Sequence, residues 1–163
     1  MRPGLKPNLT SGNMIRKTLR ILPLLILIGS GILLLEGSPL LGRPLVAGSE
    51  IPLGTLIAWL CLSTLPLSMV AGIRYIRKPI SAVYRFYKRA FSLFILLGLA
   101  WGLFSNFLAG NWNFVFSGEE AFRGSETAFT VFVAYTAFIV LGSLLTFIIF
   151  LIHHLSITLK QKP

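Results

Sequence analysis

Four long apolar runs divide the chain: Ile21–Leu35, Ile51–Ile73, a run from about Arg89 to Gly110, and Thr127–Ile152. An α-helix rising 1.5 Å per residue needs about twenty such residues to cross roughly 30 Å of hydrocarbon. The first run reaches that length only if it tilts and continues through Pro39-Leu40-Leu41. A β-barrel would need alternating segments of about ten residues, and no such alternation occurs. The pattern predicts an all-α integral membrane bundle of four transmembrane helices, with spans at about 20–41, 51–73, 89–110 and 127–152.

The polar segments set the boundaries. Met1–Asn13 holds two prolines and two glycines without apolar period, so residues 1–13 read as a mobile tail and Asn13 as the N-cap of the first helix. Asn8-Leu9-Thr10 has the form of a glycosylation acceptor, a modification that does not occur in a cytoplasmic tail. Gly37–Glu50 is a short loop punctuated by glycine and proline, and Glu36 at the end of the first run reads as an interfacial carboxylate. Pro52 suits the first turn of the second span, whereas Pro66 lies inside it and should kink it. Ser63 and Thr64 stand where a hydroxyl can satisfy the freed backbone.

Between the second and third runs lies Arg74–Arg89, with six of the fifteen basic residues and no acid. Ile80, Val83, Tyr84 and Tyr87 recur at helical spacing after Pro79, with Ser81, Arg85, Lys88 and Arg89 on the other side. One helix from Pro79 to Gly110 would measure about 48 Å, so the spacing predicts a basic amphipathic surface elbow near Pro79–Lys88 and a separate span after it. Arg74, Arg77, Lys78, Arg85, Lys88 and Arg89 are the candidate contacts to anionic lipid headgroups. Tyr75, Tyr84 and Tyr87 suit the same layer.

Composition and charge agree with this reading and add an orientation. Over 163 residues, 55% of side chains are hydrophobic and 12% charged, against about 25% charged in soluble proteins. The net charge of +10 comes from bases flanking apolar runs, which assigns it to headgroups and not to nucleic acid. Thirteen bases fall in the two termini and the central linker; two bases, Arg43 and Arg123, and all five glutamates fall in or beside the other two loops. By the positive-inside rule both termini are cytoplasmic, and the expected location is the bacterial inner membrane. Basic residues before the first run also fit a signal peptide with a loose cleavage site at Leu45–Gly48, although no clean A-x-A motif follows.

The third run carries the clearest packing pattern. Gly98, Gly102, Asn106 and Gly110 recur every four residues, and Gly98–Gly102 is a G-x-x-x-G pair that lets a second helix approach closely. Whether that helix belongs to the same chain is left open by the pattern.

Candidate chemistry is sparse. There is no aspartate, and the histidines and glutamates fall on opposite membrane faces, so no Ser/His/acid set forms. A lone Cys61 excludes an internal disulfide, and an apolar setting makes a thiol inert. His153 and His154 are adjacent and read as headgroup-boundary residues, not as haem ligands. Ser117–Glu120 has capping-box spacing, which suggests a short surface helix over 118–123. The expectation is a non-catalytic protein without cofactor or metal, an accessory or assembly subunit packing through its third span on a membrane protein partner or on itself. The alternative is a small channel or carrier, a homo-oligomer lined by Ser105, Asn106, Thr64, Ser68, Thr136, Ser143 and Thr146.

The charge split makes the orientation testable. A reporter fused to either terminus should be active only in the cytoplasm, and a C-terminal fusion active outside would contradict the four-span threading.

Overall fold

A computed structural model describes residues 9–49, 51–77, 79, 81–112 and 122–160, with Thr18 the only side chain described between 9 and 20. Helices dominate: α1 (Leu9–Leu35), α2 (Leu53–Gly72), the single turn α3 (Arg74–Arg77), α4 (Ala82–Ala109) and α5 (Glu126–Lys160). Three of them, α2, α4 and α5, are long and apolar enough to cross a membrane; the apolar part of α1 is the shorter Ile21–Leu35. Packing runs from α1 to α2, from α2 to α4 and from α4 to α5, with a smaller contact between α2 and α5.

The start of α1 differs from expectation. Leu9–Asn13 is helical, so the tail is shorter at its inner end and Asn13 is not the cap. The helix runs back to Leu9 through Pro23, which is buried inside it. At its other end α1 stops at Leu35, short of the Leu41 expected. Gly37 takes a left-handed φ of 59°. Its N–H donates to the Leu34 carbonyl and that of Ser38 to the Leu33 carbonyl, a pair of bonds that closes the helix end. Pro39–Gly42 then forms a 3-10 turn. Glu36 sits exposed in the closing turn.

A short antiparallel pairing of Pro44 with Pro52 fastens the loop into α2. The Leu45 N–H donates to Ile51 at 2.8 Å, and the Leu53 N–H donates to Arg43 at 2.7 Å. Pro52 is thus the residue just before the helix, where its missing N–H costs nothing.

The surface elbow does not form as a separate element. Ser81 caps α4, accepting the Tyr84 N–H, and the helix continues unbroken for 28 residues, about 42 Å. Two causes are visible. No glycine or proline falls between Ala82 and Leu97, and Tyr84, Tyr87, Phe91 and Phe94 are all buried on one continuous face. Tyr84 and Tyr87 therefore lie inside the bundle, against Phe150 of α5 at 6.1 and 5.4 Å between ring centroids, instead of facing outward. What precedes α4 is the one turn of α3, held by the fully buried Ile76 under Tyr84, Phe91 and Phe150. Lys78 of the expected headgroup contacts and Ile80 of the predicted elbow lie outside the described residues, as do residues 1–8 and most of the helix expected over 118–123.

The continuity of α4 should register in hydrogen exchange. Amides of Arg89–Leu93 are expected to exchange as slowly as those of Leu96–Ala100, and a fast-exchanging joint near Arg89 would restore a two-piece description.

Candidate functional site

The glycine face of α4 meets α2 of the same chain. A Cβ on Gly98 would stand 3.0 Å from the Leu62 carbonyl oxygen and 3.0 Å from the Ser63 Cα, main-chain atoms that cannot swing aside. A Cβ on Gly102 would collide with the Trp59 indole. The indole N–H donates to the carbonyls of Gly98 and Leu99 at 3.1 and 3.0 Å, so this ring is fixed at both its face and its edge.

Pro66 belongs to the same contact. It is buried inside α2, and its missing N–H leaves the Leu62 carbonyl without its usual helical donor. That is the carbonyl Gly98 faces. Nearby hydroxyls bond back to α2: Thr64 to the Leu60 carbonyl at 2.6 Å and Ser68 to the Leu65 carbonyl at 2.8 Å.

Gly110 serves another purpose than packing. It ends α4 in the left-handed region at φ 72°, donating its N–H to the Asn106 carbonyl at 2.8 Å. Asn106 is half-buried, one turn before that cap. Two glycines that no stripe announces also make tight contacts: Gly142 receives the Phe94 ring, and Gly124 abuts the Leu108 carbonyl.

On its other side α4 is tied to α5 by hydrogen bonds. The Tyr135 hydroxyl donates to the Leu97 carbonyl at 2.7 Å. The Trp101 indole donates to the Thr136 hydroxyl at 2.8 Å, which in turn donates to the Phe132 carbonyl at 2.9 Å. Thr64, Ser105 and Ser143, expected to line a pore in the channel reading, are buried within this single chain.

The basic end holds an aromatic cluster that the sequence reading missed. Tyr84 and His154 Nδ1 share a hydrogen bond at 3.1 Å. Tyr75 lies 5.0 Å from the His154 ring, and Phe150 stacks on it at 5.7 Å with an 8° interplanar angle. His153 faces the rings of Tyr84 and Tyr87 at 6.2 and 6.0 Å. The histidines thus join helix to helix, a role beyond marking the headgroup boundary. The only local signal was the i, i+4 spacing of Phe150 and His154.

Of the expected headgroup contacts, Arg74 is exposed on α3 while Arg77 is half-buried there, its Nε buried without a partner among the described residues. Arg85, Lys88 and Arg89 are exposed on the first turns of α4. With Pro79 and Ser92 they line an open groove of about 400 Å³. Among the described residues no three His, Cys, Asp or Glu side chains lie close enough to hold a metal ion. Cys61 is half-buried and free.

Comparison with protein-family models, with curated proteins and with solved structures finds no match.

The glycines order themselves by what a side chain would strike. Gly98→Val should cost about 1–3 kcal/mol through overpacking against main chain. Gly110→Ala should cost about 1–2 kcal/mol through left-handed strain. Gly31→Ala, with open space around it inside α1, should be neutral to stabilising by up to about 1 kcal/mol. Reversible unfolding in mixed micelles checks the order, and a Gly98→Val no weaker than Gly31→Ala would contradict the α2–α4 contact.

Proposed function

We propose that this is a non-catalytic four-span protein of the bacterial inner membrane, an accessory or assembly subunit that packs on protein partners within the bilayer. The carrying observation is a division of labour among its side chains. Several polar groups at the helix contacts turn inward and are used between or within helices, as with Trp59, Trp101, Thr136 and Tyr135, although the buried Ser105 hydroxyl has no partner among the described residues. The outward stripes of the flanking helices are apolar and uncovered: Ile21, Leu25, Ile28 and Ile32 on α1, and Leu141, Leu145, Ile148 and Ile152 on α5. Nothing polar interrupts either stripe, so their partners are lipid tails or other membrane helices.

The fourth crossing rests on α1. Its fifteen apolar residues measure about 22 Å, short of the hydrocarbon. Its helix continues back past Arg20 to Leu9, so local thinning of the bilayer lets it cross. The split of thirteen bases against two then puts both termini in the cytoplasm. In this reading the α2–α4 glycine contact holds the subunit itself together and leaves α5 to meet the partner.

Extraction in mild detergent tests the proposal. The protein should elute with a second membrane protein in fixed ratio, and Leu145→Trp on the exposed stripe should release that partner while leaving the unfolding midpoint unchanged. Elution alone, or as a homo-oligomer that passes solute in liposomes and changes selectivity on Asn106→Leu, would replace the subunit reading with the channel.

A further inference from the structure

Three cations of α4 stand close together near its start. Arg85, Lys88 and Arg89 fall in its first two turns. At i, i+3 and i+4 they repel one another unless an anion stands between them. No described residue supplies one. Among the described residues the only acids are Glu36 and Glu126. Both lie at the far end of the bundle, where the Thr55 hydroxyl at the start of α2 bonds to Trp112 just beyond α4.

The three cations are also gathered. Arg85, Lys88, Arg89 and Ser92 stand at i, i+3, i+4 and i+7 on one face, and with Pro79 from the preceding turn they enclose the groove of about 400 Å³. That volume lies within the range of small-ligand sites. The same face then turns apolar. Leu96, Leu99 and Leu103 continue it at 63%, 56% and 65% exposure, uncovered by any other helix. From Ser92 to Leu103 the rise is about 16 Å, close to half the hydrocarbon thickness and so to the depth of one acyl chain. A cationic, hydroxyl-bearing groove leads directly into an apolar track one leaflet deep.

We propose that this face of α4 binds one anionic phospholipid, its phosphodiester in the groove between Arg85, Lys88 and Arg89 and one acyl chain along Leu96–Leu103. The phosphate supplies the missing counter-charge at the helix start, and the Ser92 hydroxyl is placed at the level of the glycerol. A free phosphate would satisfy the groove but leave the leucine track unused, which is why a lipid is the occupant. The site is independent of any protein partner, because it uses a face of α4 distinct from both the glycine contact and the exposed stripe of α5.

Native mass spectrometry of the full-length protein in mild detergent, titrated with phosphatidylglycerol or phosphatidylcholine, tests this. One phosphatidylglycerol should be retained at concentrations where phosphatidylcholine is not. Each cation near a headgroup is worth about fivefold in affinity, so Arg85→Gln with Arg89→Gln should weaken phosphatidylglycerol binding about 25-fold, towards the phosphatidylcholine level. Both side chains are exposed, and an unchanged melting midpoint without lipid verifies that the variant is folded. Leu99→Ser should weaken the lipid while sparing the groove. Excess inorganic phosphate should fail to displace it. Equal retention of the two lipids, no effect of the double substitution, or displacement by inorganic phosphate with Leu99→Ser silent would each overturn the proposal, the last in favour of a free-anion site.

Discussion

A carbonyl that has lost its helical donor lies at the middle of this fold. Pro66 deprives the Leu62 oxygen of the N–H it would normally receive, and in hydrocarbon no water replaces it. Gly98 presents a bare Cα towards that oxygen, where an added Cβ would stand 3.0 Å from it, tighter than nearly all side chains pack. Contacts of the Cα–H···O kind recur where helices approach this closely and are worth about 0.5–1 kcal/mol each. One turn on, Gly102 makes the seat for Trp59, whose indole N–H returns two hydrogen bonds to the α4 backbone. The α2–α4 seam therefore combines close backbone approach with hydrogen bonding, the two forces available when burial of apolar surface drives nothing.

The remaining helices arrange themselves around that seam. α5 lies against the neighbouring side of α4, joined through Leu97–Tyr135 and Trp101–Thr136, with Phe94 seated on Gly142. At the basic end the Tyr84–His154 bond and the Phe150 ring against Tyr84 and Tyr87 tie the two helices again, with Ile76 packed into the same cluster. α1 leans on α2 at the periphery. The centre is filled by large rings and small hydroxyls, which leaves apolar side chains exposed on the outer faces of α1, α4 and α5.

Much of this was legible because apolar runs of bilayer length allow few readings, and a four-residue glycine repeat marks a close approach. Its partner was not legible. α2 is apolar on all sides, so no periodicity pointed Trp59 or Pro66 at α4. The length argument that divided α4 at Arg89 gave weight to bilayer thickness and too little to the absence of any helix breaker between Ala82 and Leu97. Gly110 fitted the repeat by position but is required by the left-handed end of the helix. The Tyr84–His154 bond joins residues seventy positions apart, beyond any local pattern.

The account turns on the seating of Trp59 against Gly102, and a double-mutant cycle on monomeric protein in detergent tests it most directly. Gly102→Ala alone should destabilise, because the new methyl strikes the indole ring. In a Trp59→Ala background the same substitution should cost less than about 0.5 kcal/mol, since the three atoms nearest the new methyl all belong to that indole. A cost for Gly102→Ala that is the same with and without Trp59 would show that the two residues do not touch, and would contradict the α2–α4 seam.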